Sequence, residues 1–339
     1  MRKVTLLVLL AILMVAMAAV PAGATTKVGT SAAQFLKIGA GCRAAALGGA
    51  YVAMANDAAA LYWNPAGLAR LEHNELLLMH ADWLAETNYN FGGVVMNFGG
   101  NALGVFLTAL DYGQWEVTTV DEPEGTGEIM EAGDFALGAS YARSLTDRFS
   151  FGFNVKYIRQ DIWHMDAQSF ALDVGTLYIT RFNNMRIGMS MSNFGSKMDM
   201  GGKDARVFHD IDPGLSGHNE AIDAYLETEA WDLPLNFRVG LAMDVLQGDP
   251  VRWTVAVDAL HPNDNNEAIN LGSELMWNDL IALRGGYKAL GREDSEEGLT
   301  FGGGIRYPMT MGTAVKIDYA YSDWGRLEYV HRFSMGLEF

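Results

Sequence analysis

The residue types that usually carry catalysis occur in this sequence without the spacing that catalysis requires. The seven histidines show no paired spacing of the kind that holds a metal ion. The nucleophile-elbow pattern Gly-x-Ser-x-Gly is absent, so no serine is marked as an activated nucleophile. A single cysteine, Cys42, excludes an internal disulfide framework. We therefore predict no catalytic residue, no metal site and no enzymatic activity.

Two weaker patterns could indicate a cofactor or a cation. Residues 39–44 fit the glycine spacing of a dinucleotide-binding loop, but no βαβ unit surrounds them. Residues 258–267 are rich in carboxylate and amide oxygens, which are ligands for Ca²⁺, but they lack the glycine spacing of an EF-hand loop. We interpret this second stretch as an ordinary polar loop, and we predict no cofactor.

The acidity of the chain excludes one class of partner. The formal net charge is −17, and removal of Arg2 and Lys3 with a cleaved leader would make it −19. A nucleic-acid-binding protein needs a basic face, because contacts to phosphate supply much of its affinity. We therefore expect no nucleic-acid partner.

The first 24 residues have the pattern of a secretory signal peptide. Arg2 and Lys3 precede the apolar run 4–20, and the small residues 22–24 follow it. Cleavage is expected after Ala24; the alternative is an uncleaved anchor, for which the run is slightly short. No later apolar run approaches the length of a spanning helix, so a spanning part of this chain would have to be a closed barrel.

The C-terminal residues alternate between apolar and polar side chains. In the run 333–339 the odd positions are Phe, Met, Leu and Phe, and the even positions are Ser, Gly and Glu. A strand with one face in lipid and the other in a wet lumen needs this period of two. Phe339 therefore predicts the last strand of an outer-membrane barrel, although a soluble β-sandwich would alternate as well.

The same alternation recurs in fourteen strand candidates. Most have about the length that crosses a membrane at a tilt. Short turns alternate with longer connections, and the two longest connections, 112–132 and 195–231, fall on the same side. We therefore predict an all-β protein, a 14-stranded antiparallel transmembrane β-barrel over residues 74–339, surrounded by the lipid of a Gram-negative-type outer membrane. The candidates are 74–83, 87–98, 101–111, 133–144, 148–159, 167–180, 184–194, 232–244, 251–261, 267–277, 280–289, 298–307, 311–322 and 330–339.

Residues 25–73 precede the strands and lack their alternation. They are rich in Ala and Gly, with one Asn-Asp pair placed to cap a short helix over 58–63 and an Asn-Pro pair placed to begin a second helix. We predict that this segment forms a hatch, or plug, inside the lumen. Its junction would hold the hatch closed at the inner edge of any ligand path, and would consist of Asn56, Asp57, Asn64, Pro65, Ala66 and Gly67.

The stretch 35–53, FLKIGAGCRAAALGGAYVA, and the stretch 61–68, LYWNPAGL, resemble the start of the PorV/PorQ family. That family is a branch of the FadL-type outer-membrane proteins, so the resemblance implies the 14-stranded barrel, the hatch and an Asn-Pro-Ala element within it. FadL-type proteins are similar to one another in passing hydrophobic small molecules through a hatch-gated pocket. PorV-type members instead receive secreted cargo proteins as partners of the type IX secretion machinery. The resemblance thus implies a hydrophobic ligand or a protein cargo, and a purely structural barrel is the third alternative.

The fourth outer connection is the most distinctive segment outside the strands. Residues 196–232 contain nine acids against three basic residues. Asn219 would cap a short helix through Ala230, and we interpret its apolar face either as a docking site for a ligand or protein, or as part of an acidic cap over the barrel mouth. The third outer connection, near 160–166, is short, so we expect no surface fatty-acid groove of the FadL form. The docking candidates are Ile222, Tyr225 and Leu226.

Overall fold

The computed structural model describes residues 28–212, 214, 221–292 and 295–339, and the predicted signal peptide over residues 1–24 lies outside them. Fourteen long antiparallel strands form one sheet that closes on itself, and three short strands lie in the connection after the seventh. The strands are β1 Glu75–Asp82, β2 Asn88–Asn97, β3 Asn101–Glu116, β4 Ile129–Ser144, β5 Phe149–Ile162, β6 Met165–Ile179, β7 Arg186–Gly195, β8 Gly201–Gly202, β9 Arg206–His209, β10 Ile222–Tyr225, β11 Asn236–Gly248, β12 Val251–Pro262, β13 Ala268–Trp277, β14 Ile281–Leu290, β15 Leu299–Pro308, β16 Ala314–Asp323 and β17 Tyr329–Glu338.

The barrel closes because its last strand pairs with its first. Neighbouring strands along the chain pair with each other, β7 pairs with β11 across the long connection, and β17 pairs with β1. The register of the closing pair runs from Glu75 opposite Glu338 to Asp82 opposite His331. The predicted all-β fold with a 14-stranded antiparallel barrel is confirmed, and the alternative of two packed sheets is wrong.

Side chains alternate across the wall as the sequence predicts. Phe333 and Met335 of β17 are exposed, whereas Ser334 between them is buried. On β5, Val155 is exposed and Lys156 is buried. An apolar outer surface with polar residues inside is the pattern of a barrel that faces lipid.

The two ends of the barrel differ in the length of their connections. One end, which we call the short-turn end, contains the chain terminus, where the backbone groups of Asn74 and Phe339 exchange hydrogen bonds of 3.1 and 3.0 Å. The other end, the long-loop end, contains the connections 117–128 and 196–235. The connection predicted at 112–132 is in part strand, because β3 continues to Glu116 and β4 begins at Ile129.

The fourth long-loop connection contains a hairpin where the sequence suggested a helix. Asn219 lies outside the described residues, and the predicted helix is wrong because β10 pairs antiparallel with β9. The order Ile-Asp-Ala-Tyr of β10 also satisfies a period of two, and Arg206 forms an ion pair of 2.7 Å with Asp223 across the hairpin. We call β9 and β10 the ribbon.

The N-terminal segment, residues 28–73, contains four short helical pieces and packs inside the wall. Ser31 donates to the Asp264 carboxylate (2.5 Å) at the long-loop end, and Arg70 donates to the carbonyl of Asp147 (2.8 Å) at the short-turn end. Most of its apolar side chains are buried together with inward-facing residues of the strands. Among the described residues, no helix has the length and apolarity needed to cross a membrane. The helical pieces are the 3₁₀-helices Gln34–Lys37 and Pro65–Arg70 and the α-helices α1 Cys42–Ala46 and α2 Ala60–Trp63; further 3₁₀ turns are Leu84–Glu86, Lys203–Ala205, Thr310–Gly312 and Gly325–Leu327.

Candidate functional site

A girdle of wall glycines brings the N-terminal segment into contact with the backbone of the strands. A β-carbon built at Gly152 would lie 2.5 Å from the carbonyl carbon of Pro65, and one at Gly188 would lie 2.5 Å from the carbonyl oxygen of Val52. Such a close approach is possible only because glycine has no side chain. Nine strands contribute one such residue each, namely Gly93, Gly104, Gly152, Gly175, Gly188, Gly240, Gly272, Gly286 and Gly302.

Asn64 joins the two helical pieces of the predicted junction to each other and to the wall. Its side-chain oxygen accepts from the backbone N–H of Ala66 (3.2 Å), which caps the 3₁₀-helix that begins at Pro65. Its amide donates to the carbonyls of Val52 (2.8 Å) and Thr176 (3.0 Å), and the residue is fully buried. The arrangement suits the closing role that the sequence suggested, and that role stays a prediction.

Asn56 and Asp57 bind the side chain of Arg43 rather than capping the following helix directly. The helix α2 begins at Ala60, two residues later than expected, and Asp57 accepts from the N–H of Ala59 (3.0 Å) in the preceding turn. Asp57 also accepts from the Tyr51 hydroxyl (2.5 Å). Burial raises the pKa of Asp57, but Arg43 and other donors outweigh burial and hold this pKa below its usual value.

Arg43 is the main ionic contact between the N-terminal segment and one side of the wall. It makes two hydrogen bonds of 2.8 Å to the Glu274 carboxylate, which also accepts from Arg284 (2.7 Å). Arg284 in turn donates to Asp318 (2.5 Å). Arg43, Arg284 and Asp318 line a cavity of about 160 Å³, the short-turn cavity, whose charged lining opposes the entry of an apolar molecule.

At the long-loop end, Asp264 fixes the start of the segment. Its carboxylate accepts from Ser31, Gln34 (3.0 Å) and Lys37 (3.0 Å). Burial raises the pKa of Asp264, but these hydrogen bonds outweigh it and hold the pKa below its usual value. Asp258, in the stretch considered for calcium, accepts from two backbone N–H groups of the segment, so both carboxylates already bind the protein itself. Among the described residues, no group of three His, Cys, Asp or Glu side chains is placed to hold a metal ion.

A pocket of about 760 Å³, the long-loop pocket, lies between the N-terminal segment and the connections of the long-loop end. Trp83 and Trp324 meet edge to face in its wall, with ring centroids 5.3 Å apart. This pocket was not predicted from the sequence. A tryptophan at a strand end resembles a membrane-interface residue, and one sequence does not show whether its side chain points into the barrel or toward the lipid. The apolar lining also includes Phe35, Ile38, Leu84 and Leu110, and the charged lining is Lys37, Lys288, Arg292 and Glu297.

The ribbon separates the three docking candidates of the sequence. Within β10, Tyr225 (69% exposed) lies on the outer face and Ile222 is half-buried on the opposite face, whereas Leu226 (60% exposed) lies beyond the end of the strand. Tyr225 shares the outer face with Phe208, which is 71% exposed. The period of two explains the difference, because residues three apart lie on one face of a helix but on opposite faces of a strand.

Comparison with known protein families identifies the chain. The sequence model of PorV, described as type IX secretion system protein PorV, matches residues 22–259. The chain belongs to the PorV family. A protein of Treponema pallidum (strain Nichols) described as UPF0164 protein is 29% identical over 171 residues, which are 46% of this chain. The match spans 42% of that relative, so the chain corresponds to less than half of its length.

Solved structures show the same fold at low sequence identity. The monoaromatic hydrocarbon channel CymD is 14% identical with a TM-score of 0.57, over 89% of this chain and 97% of that one. The Pseudomonas putida toluene transporter TodX is 12% identical with a TM-score of 0.55, over 88% and 97%. A Pseudomonas aeruginosa FadL homologue is 12% identical with a TM-score of 0.51, over 89% and 97%. This PorV-family chain therefore has the same barrel fold as these outer-membrane proteins.

Proposed function

We propose that this PorV-family barrel binds hydrophobic small molecules in the long-loop pocket and passes them by movement of the N-terminal segment, without any enzymatic step. The observation that carries the proposal is the pocket itself. It has about 760 Å³, and nine apolar or aromatic side chains among the described residues line it together with a few charged ones. Pockets of this size and composition are typical of drug-sized ligands.

The packing below the pocket supports the need for movement. Through the glycine girdle, the segment contacts the backbone of nine strands directly. We therefore infer that a ligand can pass only if the segment shifts. The segment acts as the hatch in this proposal, and Asn64 with its three hydrogen bonds is the junction that keeps it closed. Two proteins with this fold, a toluene transporter and a monoaromatic hydrocarbon channel, support an apolar ligand.

Binding in lipid nanodiscs tests the pocket. A neutral fluorescent probe, phenyl-naphthylamine, should bind saturably to the wild type above the background of empty nanodiscs. Trp83→Ala should weaken this binding by about tenfold, because it removes half of the tryptophan pair. Trp277→Ala is the control, since Trp277 is exposed at the short-turn end. Absence of saturable binding to the wild type, or equal loss in both variants, would contradict the proposal.

A second function, docking of a secreted cargo protein, is favoured by the family match and by the ribbon. Phe208 and Tyr225 project from the mouth of the barrel on one face, with an exposed ion pair beside them. In this alternative, Phe208→Asp together with Tyr225→Asp reduces the amount of secreted protein in the medium, measured by mass spectrometry, and leaves permeability to small molecules unchanged. Val120→Asp, at a fully exposed residue of the second long connection, is the matched control.

A further inference from the structure

Arg332 is a buried cation that forms no hydrogen bond or ion pair with a carboxylate among the residues that the structure describes, and Glu297 acts on it only through space. Its side chain projects inward from β17, the residue is 4% exposed, and its Nε has no hydrogen-bond partner. The guanidinium lies 5.1 Å from the ring centroid of Trp83, which lines the long-loop pocket. Ser334, two residues further along β17, lines the short-turn cavity. Arg332 therefore lies behind Trp83, between the two cavities, and is not itself one of the residues that line the long-loop pocket.

The surroundings of Arg332 are positive although the chain as a whole is acidic. Lys288 lies 5.3 Å above the ring of Trp324 in the same pocket and within electrostatic range of Arg332. Glu297 is shared by Lys288 (2.5 Å) and Arg292 (3.5 Å), and Lys37 is paired with Asp264. Among the described residues around this pocket, four cations thus face two carboxylates, in a chain whose formal net charge is −17.

A buried charge without a counter-charge destabilises a protein strongly, so such a residue is retained where something else supplies the opposite charge. The pocket has room for a bound molecule, and an anionic group that reaches past Trp83 meets the guanidinium of Arg332, which offers several N–H donors in a planar fork that matches a carboxylate or sulfonate. Aromatic rings line the pocket directly above it, including Trp83 and Trp324. A ligand that contacts both the aromatic rings and the guanidinium is flat and apolar at one end and anionic at the other.

We propose that the long-loop pocket takes a compact aromatic anion, whose ring packs on Trp83 and Trp324 and whose anionic group is bound by Arg332. This inference rests on the proposed function, since it names the ligand class of the same pocket. Such a ligand differs from toluene and from the monoaromatic hydrocarbons of the two proteins with this fold, which are neutral. Arg332 is in this view the residue that determines specificity.

Two probes with the same aromatic body separate charge from apolar contact. Anilinonaphthalene sulfonate is an anion, and phenyl-naphthylamine is its neutral counterpart without the sulfonate. In lipid nanodiscs, the wild type should bind the anion at least about tenfold more tightly than the neutral probe, because a charge-assisted hydrogen bond in a buried site supplies that factor. The ratio of the two affinities can be measured on the wild type alone, so it is the first test.

Variants of Arg332 then assign the ratio to the residue. Arg332→Gln should abolish the preference for the anion and leave binding of the neutral probe within about twofold, whereas Arg332→Lys should retain most of the preference. Arg252→Gln is the matched control, since Arg252 is a partly exposed arginine near the short-turn end that pairs with Asp279. A ratio near one in the wild type, or an unchanged ratio in a folded Arg332→Gln protein, overturns the proposal.

An aliphatic competitor tests the aromatic half of the proposal. Dodecanoate should displace the bound anionic probe about tenfold less effectively than naphthalene sulfonate, because it cannot stack on the two tryptophans. Equal displacement by the two competitors overturns the aromatic assignment. Failure of the wild type to bind either probe contradicts the proposed function itself, whereas tight binding of the neutral probe alone contradicts only this inference.

Discussion

Adding one methyl group to the wall at Gly286 should loosen the N-terminal segment. A β-carbon at this position would lie within 3.0 Å of the backbone of Leu47 and Gly48. Gly48 has a φ of +65°, and its own backbone lies against that of Tyr287 on the same strand. Since both partners are backbone atoms, neither can rotate away, and the segment has to move.

The expected magnitude follows from the contact geometry. Inserting a methylene or methyl group into a well-packed interior costs about 1–3 kcal/mol. Because about 1.4 kcal/mol changes an equilibrium tenfold, the displaced state of the segment should gain at least about fivefold in population. The neighbouring Gly285 provides a matched control. A β-carbon there would have only ordinary contacts at 3.9 Å, with Phe301 and Thr300.

The two variants can be compared by permeability and by stability. Cells that produce Gly286→Ala should become more sensitive to large hydrophilic antibiotics, and the heat-modifiable band of the purified barrel should convert at a lower temperature. Gly285→Ala should match the wild type in both measurements. If the two variants behave alike, the girdle does not hold the segment, and its role as a hatch would have to be abandoned.

Three further changes should have equally distinct results. Asn64→Ala removes the cap on Ala66 and should destabilise the segment by about 1 kcal/mol, seen as a leak for apolar dyes that the control Asn90→Ala, at an exposed residue of β2, does not cause. Phe339→Asp places a charge at an interface position and should reduce the protease-resistant barrel in the outer membrane; wild-type amounts would refute this. In the folded protein the pKa of Asp57 lies below its usual 3.8. The stabilisation that ionised Asp57 provides is therefore complete above pH 3.8 and is lost only as the pH falls through the lower folded pKa. Loss of this stabilisation already near pH 6, about two units above 3.8, would contradict the assignment.

The wall of this protein was predictable because its pattern is local. Alternation with a period of two is enforced at every strand by lipid on one side and the lumen on the other, so runs such as 149–157 and 333–339 show it without knowledge of their partners. Turn formers such as Gly99 and Gly100 mark the ends of the strands for the same reason.

The ribbon and the long-loop pocket were not predictable, because both depend on partners that are distant in sequence. A strand of four residues such as β10 is decided by its pairing with β9, and the short apolar run around Tyr225 fits a helix equally well. The surroundings of Arg332 depend on residues that are distant in sequence, such as Trp83 and Glu297. One sequence shows that an arginine faces inward, but it does not show whether a described carboxylate forms an ion pair with it.

The path of the N-terminal segment has a consequence for how the protein is assembled. The segment is attached directly to β1, and β1 is one of the two strands at the closing seam with β17. Its two ends are bonded at opposite mouths of the barrel, to Asp264 and to Asp147. Threading it lengthwise through a finished ring would force the bulky Trp63 past the wall glycines. We therefore expect the sheet to curl around the segment, with the pairing of β1 and β17 forming last. The barrel and the enclosed segment would then fold together in one step.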